Sequence, residues 1–168
     1  MYFLYSLIAY LAFILSPMIF FFRIIVGKED FLRFQEKYCI YNKQNNLNSI
    51  WFHAVSVGEL MSIIPILKKL EKNKKIKQII VTTSTTSSAK IFAKQKFKKT
   101  KHRYFPLDTN YLNLKFINFW KPKVAIFVDS EIWPNMFKNL NKRKIPIIIL
   151  NARITKKSFN RWKILNNF

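Results

Sequence analysis

Glycine and cysteine are scarce in this chain, with two glycines and one cysteine in 168 residues. Neither G-x-G-x-x-G nor G-x-x-x-x-G-K-[ST] occurs, so the sequence gives no support to an ordinary dinucleotide or P-loop phosphate site. The single cysteine, Cys39, excludes an intrachain disulfide and a four-cysteine zinc site. The two histidines, His53 and His102, have no metal-ligand spacing to nearby acids. We therefore expect no structural metal.

Acidic residues are also few, with 8 Asp and Glu against 30 Lys and Arg and a net charge of +22. Such a charge is typical of proteins that bind nucleic acids or anionic membranes. The excess is mostly lysine and comes with abundant Asn, Ile and Phe, a bias that AT-rich coding produces without selection for binding. A basic nucleic-acid-binding protein is thus a weak hypothesis, since no RNA-binding motif is present, and we expect no nucleic-acid partner.

Charge is absent from residues 1–22, which are long enough to cross a hydrocarbon core that needs about 20 residues. The segment starts without a basic residue and ends in bulky Phe, which favours a retained anchor over a cleaved signal peptide. Basic residues follow it, namely Arg23, Lys28, Arg33 and Lys37. By the positive-inside rule these place the rest of the chain in the cytoplasm. Pro17 leaves both a spanning helix and a kinked or interfacial helix open.

The sequence divides into three parts, a membrane anchor helix at 1–26, a basic juxtamembrane part at 27–48 and a folded lobe at 49–168. We predict a short basic amphipathic helix over 29–41 and a polar linker over 42–48. The basic side chains, with Phe31 and Phe34, suit contact with anionic lipid. A solvated lysine-rich face explains them equally well.

Strand-like and helix-like patterns alternate in the folded lobe. Apolar runs predict strands at 50–53, 78–83, 102–105, 124–128 and 145–150. Helical periodicity predicts helices at 59–72, 87–97, 111–119 and 133–142, with a further helix starting near 158. Alternation of this kind predicts an α/β fold, a parallel sheet with helices on both faces.

Polar residues follow each predicted strand at its carboxyl end, where open α/β sheets bind ligands. These clusters lie at 53–59, 82–88, 106–108, 129–131 and 151–153. In the first of them, Gly58 indicates a tight turn or close approach to a ligand. The same stretch, Ser56-x-x-Glu59 before an apolar run, also fits a helix capping box. Glu59 is therefore either a helix cap or a site carboxylate.

Five motifs together resemble one family, the Kdo transferases, which add 3-deoxy-D-manno-octulosonic acid (Kdo) to lipid A precursors in Gram-negative bacteria. The motifs are HAVSVGE at 53–59, VTTSTTSS at 81–88, YFPLD at 104–108, SEIWPN at 130–135 and NAR at 151–153. Their order and spacing fit the N-terminal half of the family, and the resemblance includes the hydrophobic anchor. It covers nearly the whole chain.

The resemblance implies the N-terminal Rossmann-like lobe of a GT-B glycosyltransferase. In the family this lobe binds the lipid acceptor. A C-terminal donor lobe, absent from this chain, carries most of the residues that bind CMP-Kdo. It implies partners of three kinds: a lipid A precursor, CMP-Kdo as a co-substrate with no further cofactor, and membrane lipids. It implies the cytoplasmic face of the cell inner membrane as the location. The alternative is a non-catalytic, truncated, membrane-bound remnant that binds the lipid A precursor.

The resemblance also implies roles for two carboxylates. Glu59 would be the base that takes the proton of the acceptor hydroxyl. Asp129 occupies a position that is usually Glu in the family and is thought to help stabilise the transition state. The shorter side chain keeps the charge but withdraws the oxygens, and misplacement on the order of 1 Å can cost roughly 100-fold in rate. A solvated acid at a strand end is the other interpretation of Asp129.

The remaining candidates are substrate-binding residues. They are Ser56, Gly58, Ser84, Thr85, Glu131 and Arg153. Arg153 could bind an acceptor phosphate or pair with Asp129 or Glu131. Ser84 and Thr85 could bind an anion or cap a helix, and the Pro and Gly usual in the family are missing there. Glu131 either belongs to the site or, with Trp133, begins a helix.

For the residues of the YFPLD motif we expect structural roles. We expect Asp108 to cap the helix that follows it, and Tyr104 to Pro106 to serve core and loop packing.

Overall fold

The computed structural model describes residues 2–41, 48–129 and 131–152. It begins with a long apolar helix, α1 (Tyr2–Ile25), followed by a one-and-a-half-turn 3₁₀ helix (Phe34–Tyr38). Strands and helices then alternate. They are β1 (Ser49–His53), α2 (Val57–Lys72), β2 (Ile79–Thr83), α3 (Thr86–Ala93), β3 (Thr100–Tyr104), α4 (Asn110–Trp120), β4 (Pro122–Val128), α5 (Pro134–Lys142) and β5 (Ile147–Leu150).

The five strands form one parallel sheet in the order β3-β2-β1-β4-β5. The chain runs outward from β1 to β3, then returns to the other side of β1 and continues to β5. This topology confirms the predicted α/β fold. It makes β1 the central strand, and the segments after β1 and β4 meet at the same edge because parallel neighbours end together.

Helices cover both faces of the sheet, as predicted. Neighbouring strand residues point to opposite faces, so Trp51 packs on the side of α4 and α5, and Phe52 packs on the side of α2 and α3. Each face buries its own apolar cluster. The first includes Ile80, Phe116, Trp120, Phe127 and Leu140, and the second includes Leu60, Ile63, Leu67, Val81 and Phe92.

The segment after α1 differs from the prediction of an amphipathic helix over 29–41. It consists of turns and the short 3₁₀ helix, and its polar side chains are engaged over long distances. Glu36 accepts a hydrogen bond from the backbone N–H of Tyr104 at 3.0 Å, at the outer edge of β3. Arg33 contacts His102 at 2.8 Å. These contacts, more than any helical periodicity, explain the polar residues of the segment.

Pro17 lies inside α1 and cannot donate a backbone hydrogen bond to the carbonyl of Phe13. The hydroxyl of Ser16 donates to that carbonyl at 2.6 Å instead, so its acceptor remains satisfied. Within the described ranges, α1 is the one helix long and apolar enough to cross a membrane, with a mean hydropathy of 2.1. Length and composition alone make this weak evidence for a membrane anchor.

Candidate active site

Glu59 lies in the first turn of α2, directly beyond the carboxyl end of β1. Its Oε2 accepts a hydrogen bond from the backbone N–H of Val55 at 2.7 Å. Its own backbone N–H donates to the hydroxyl of Ser56, the N-cap residue, at 3.2 Å. The capping interpretation is therefore correct for the free chain. In a usual capping box the carboxylate accepts from the N-cap residue itself, whereas here it accepts from Val55, the residue before the N-cap. Within the described ranges the other carboxylate oxygen, Oε1, has no hydrogen-bond partner.

Three carboxylates gather at this edge of the sheet. Burial is the main cause that raises the pKa of Glu131, and the negative charges of Glu59 and Asp129 raise it further. Glu59 follows β1, whereas Asp129 and Glu131 follow β4, the neighbouring strand. The two motifs that bear the candidate catalytic carboxylates are thus close enough to interact electrostatically. This arrangement concentrates negative charge where the chain leaves β1 and β4.

Asp129 ends β4 with a left-handed backbone, at φ 58°. Asp and Asn adopt this conformation more readily than most residues. Its backbone N–H donates to the carbonyl of Leu150 at 2.8 Å, and its Oδ1 accepts from Asn151 Nδ2 at 2.6 Å. Asp129 is therefore tied to the end of β5, and the partner found is the Asn of NAR. Arg153, proposed from sequence as an alternative partner, lies outside the described residues.

Thr85 is the N-cap of α3, at the carboxyl end of β2. Its hydroxyl accepts from the backbone N–H of Ser88 at 3.2 Å and contacts the Ser88 hydroxyl at 2.7 Å. The capping interpretation of Thr85 is correct. Ser84 is half-buried just before it, on the loop between β2 and α3. Both residues face the same sheet edge as Glu59, since β2 is the other neighbour of β1.

Gly58 differs from its expected local structure, and for Glu131 the structure decides between the two interpretations of its backbone. Gly58 lies within α2 and does not adopt a positive φ, so no tight turn requires glycine there. A Cβ at this position would meet only the Ser56 hydroxyl oxygen, at 4.0 Å, so the exposed backbone is open on that side. Glu131 precedes α5, which begins at Pro134 with Trp133 as its N-cap. Glu131 is thus a loop residue and not part of the helix start.

Sequence analysis predicts that Asp108 caps α4, and this prediction is wrong. Thr109 caps α4 instead, because its hydroxyl accepts a hydrogen bond from the backbone N–H of Leu112. Asp108 instead accepts from the backbone N–H groups of Asn135 at 3.1 Å and Met136 at 2.8 Å. It therefore caps α5, whose own N-cap residue has no side-chain cap. The sequence signal for this role is weak, because the helix it caps starts 26 residues later.

His53 is a buried core residue at the carboxyl end of β1, a role that sequence analysis misses. It is fully buried, stacks on Phe105 with ring centroids 4.0 Å apart, and its Nδ1 contacts the Thr82 hydroxyl at 2.9 Å. Burial lowers the pKa of His53 to about 3. The imidazole is therefore neutral near pH 7 and cannot supply a positive charge. Tyr104 and Phe105 are buried, which confirms the packing role predicted for them.

Metal binding receives no support from the described ranges, where no group of three His, Cys, Asp or Glu residues is placed to hold an ion. The groups present at this edge are carboxylates, hydroxyls and backbone N–H groups at helix starts. Such a set can accept a proton, bind hydroxyl groups and stabilise developing charge.

The chain folds as a parallel α/β lobe with carboxylates after its central strands, and a family model for the N-terminal domain of glycosyltransferases matches residues 32–168. The family is described as 3-deoxy-D-manno-octulosonic-acid transferase, or Kdo transferase. The chain belongs to this family.

Named relatives agree with this assignment. The chain is 36% identical over 163 residues to the 3-deoxy-D-manno-octulosonic acid transferase of Rickettsia bellii, covering 95% of the chain and 39% of the relative. It is 35% identical over 164 residues to a probable mitochondrial 3-deoxy-D-manno-octulosonic acid transferase of Arabidopsis thaliana, covering 95% and 37%. A relative from Haemophilus influenzae is 33% identical over 132 residues, covering 77% and 31%. The chain thus spans about two fifths or less of these proteins.

Proposed function

We propose that the protein containing this chain transfers Kdo from CMP-Kdo to a lipid A precursor, and that this lobe binds the acceptor and supplies the catalytic base. The names of the relatives and the family match support the reaction class. The placement of Glu59 is the observation that carries the residue assignment. A carboxylate at the end of the central strand, with one oxygen anchored and one without a partner in the described chain, is suited to accept a proton.

Glu59 takes the proton of the acceptor hydroxyl in this proposal. The hydroxyl oxygen then forms a bond to the anomeric carbon of Kdo while the bond from that carbon to the phosphate oxygen of CMP breaks. The electron pair leaves with CMP. The hydrogen bond from Val55 fixes the carboxylate's orientation before substrate arrives, which reduces the entropy lost on reaching the transition state.

Asp129 and Glu131 act as neighbouring negative charges. Positive charge develops at the anomeric carbon as CMP departs, and fixed negative groups nearby stabilise that state. Asp129 is held in place by Asn151, which limits its motion. The raised pKa of Glu131 shows that its charged form is disfavoured without substrate, so a developing positive charge offsets that cost.

The hydroxyls and open backbone at this edge bind the acceptor. Ser84 and Thr85 flank the start of α3, where backbone N–H groups and the helix dipole favour an anion such as a lipid phosphate. Ser56 and Gly58 line the approach to Glu59, and the open space at Gly58 lets a sugar come near the backbone. Arg153 would bind a phosphate of the acceptor in this proposal.

The site of action is the cytoplasmic face of the inner membrane. The apolar α1 at the N-terminus and the basic residues that follow it support attachment there. A lipid acceptor requires an enzyme that reaches the bilayer surface, and an anchor keeps the lobe at that surface.

The test uses the full-length polypeptide that contains this chain, with CMP release and lipid product measured together. We expect Glu59→Gln to lower transfer by at least 100-fold, because the amide still accepts from Val55 but cannot take a proton. Thr109→Ala is the matched control, since it removes a helix cap at the same sheet edge. Its thermal unfolding shifts, yet it retains transfer. Transfer by Glu59→Gln at the unmodified rate would reject Glu59 as the base.

A further inference from the structure

The helix α1 touches the folded lobe along its whole length, through one narrow stripe. The residues of this stripe are three, four or eight positions apart, so they share one side of the helix. They are Tyr2, Tyr5, Phe13, Ser16 and Phe20, with Arg23 at the end. A helix that leaves the lobe to cross a bilayer would contact it at one end only.

The N-terminal end of α1 is held by polar groups. The hydroxyl of Tyr5 donates to Asp108 Oδ2 at 2.7 Å, and the hydroxyl of Tyr2 donates to Asn110 Oδ1 at 3.3 Å. Lys138 Nζ lies 3.7 Å from the centre of the Tyr2 ring. Asp108 and Asn110 lie at the start of α4, and Lys138 lies in the middle of the short α5, so this end of α1 lies beside the carboxyl edge of the sheet.

The C-terminal half of α1 is held equally firmly. The hydroxyls of Ser16 and Tyr38 are 2.7 Å apart, and Phe20 packs edge-on against Tyr38. Glu29 receives Lys37 Nζ at 2.7 Å and Arg23 Nε at 3.2 Å, with the Glu29 and Lys37 side chains both nearly inaccessible to water. Both ends of the helix are therefore joined to the lobe.

The opposite side of α1 is apolar and open. Phe3 is 80% exposed, Ile14 is 68% exposed and Ile25 is 66% exposed. These three residues are spaced eleven apart, which places them nearly in line along the helix. The same side also carries Leu7, Leu11, Met18, Phe21 and Phe22. So large an apolar surface needs cover, since soluble proteins rarely expose contiguous patches above a few hundred square ångströms.

We propose that α1 lies flat in the bilayer interface, with its open side in lipid and its stripe on the lobe, and does not span the membrane. A perpendicular helix of 24 residues is about 36 Å long, so its N-terminal end would leave on the far side. The contacts of Tyr2 and Tyr5 would then break, or carry Asp108 and Lys138 into hydrocarbon, where charged groups are costly. An in-plane helix keeps every contact.

This inference rests on the proposed membrane attachment and adds a consequence for the site. Because α1 lies beside the start of α4 and the middle of α5, an in-plane α1 holds the carboxyl edge of the sheet next to the lipid surface. The net charge of +22 favours approach to anionic lipid. The carboxylates after β1 and β4 then face acceptors at headgroup height.

The test measures the depth of three positions in the full-length polypeptide bound to phosphatidylethanolamine–phosphatidylglycerol vesicles. A single cysteine replaces Phe3, Ile14 or Ile25 in turn and is labelled with a fluorophore. Lipids that carry a quencher at different acyl positions then reduce its fluorescence, and the extent of quenching gives the depth of the labelled position. Cys39 needs no replacement, because burial raises the pKa of its thiol to about 12 and hides it from the reagent.

Equal, shallow depths at all three positions support the in-plane helix. A depth at Ile14 greater than at Phe3 and Ile25 by about 15 Å, half a hydrocarbon core, would overturn it. Absence of quenching at all three would overturn membrane contact by α1 altogether. As a second measurement, protease should remove an N-terminal epitope from the same membrane side that exposes the lobe; protection of the epitope would again indicate a span.

Kdo transfer by the same three variants in detergent separates this inference from the proposed function. The substituted side chains lie on the open side of α1, away from the site, so transfer should equal that of the parent protein. A spanning depth profile with normal transfer overturns the in-plane helix alone. Glu59→Gln should lose transfer and keep the depth profile of the parent protein.

Discussion

Glu131 and Glu59 stand near each other across the ends of two adjacent strands, and the charge of Glu59 contributes to raising the pKa of Glu131. Burial is the larger cause, and Asp129 adds to it. The folded protein therefore holds a proton on Glu131 more readily than the unfolded chain does. Ionising Glu131 in such a cluster costs folding free energy at neutral pH.

Glu131→Gln should stabilise the protein at neutral pH. A raised pKa in the folded state means that stability falls as pH rises from the ordinary value toward the raised one. The amide removes this loss, so the gain in the free energy of unfolding is present at pH 7 and absent near pH 4. Urea unfolding at both pH values measures it. An equal gain at both values would contradict an electrostatic origin.

Glu59→Gln should lower the pKa of Glu131 toward its ordinary value, because one of the charges that raise it is removed. The shift is partial, since burial and Asp129 remain. Carboxyl-carbon NMR titration of Glu131 measures it. Glu71→Gln is the control, because Glu71 binds the backbone of residues 98–100 at the other end of α2. A Glu131 pKa that moves equally in both variants would show that the change is not local.

Asp129→Asn should lower transfer by roughly 100-fold with little change in folding, if Asp129 acts through its charge. Asn also tolerates the left-handed backbone at φ 58° and can still accept from Asn151. Asp129→Glu restores the side-chain length usual in the family and should retain transfer. Steady-state rates with CMP-Kdo and a lipid A precursor measure both. Equal rates for Asp129→Asn and the parent protein would exclude a charge effect.

Local patterns predicted the sheet well because its strands are short apolar runs separated by helices with clear periodicity. Every predicted strand and helix within the described ranges from 48 to 152 is present, with boundaries that shift by a few residues. The errors concern contacts between distant segments. The polar residues of 29–41 bind α1 and β3, and Asp108 caps α5, a helix that follows it only after α4 and β4. No local pattern encodes those partners.

The candidate site was partly predictable for the same reason. Topology requires that residues after β1 and β4 share an edge, so the meeting of Glu59, Asp129 and Glu131 follows from the strand order. The contact between Asp129 and Asn151 does not, because sequence analysis considered only Arg153 as a partner, and Arg153 lies outside the described residues. The neutral, buried state of His53 also needed the structure, since its burial depends on Phe105 and Trp133 from two other segments.

Asp108→Ala should destabilise the protein by about 3 kcal/mol, because it removes the acceptor of four donors in a buried place. They are the Tyr5 hydroxyl, Asn113 Nδ2 and the backbone N–H groups of Asn135 and Met136. Tyr5→Phe removes one of these bonds and should cost about 1 kcal/mol. Urea unfolding of both variants and the double variant measures the coupling. Strictly additive losses would contradict a direct bond between α1 and Asp108.

Acid should destabilise the protein through its two buried histidines. Burial lowers the pKa of His53 to about 3, and burial together with the charges of Arg33 and Arg103 lowers that of His102 to about 3. The unfolded chain binds their protons near pH 6.5, so stability is complete above that value and falls as the pH drops toward 3. Each histidine contributes a slope of up to about 1.4 kcal/mol per pH unit in that window. Urea unfolding from pH 7.5 to 4.5 measures the slope. His102→Gln should remove about half of it, whereas a slope unchanged in this variant would exclude His102 as a source of the acid sensitivity.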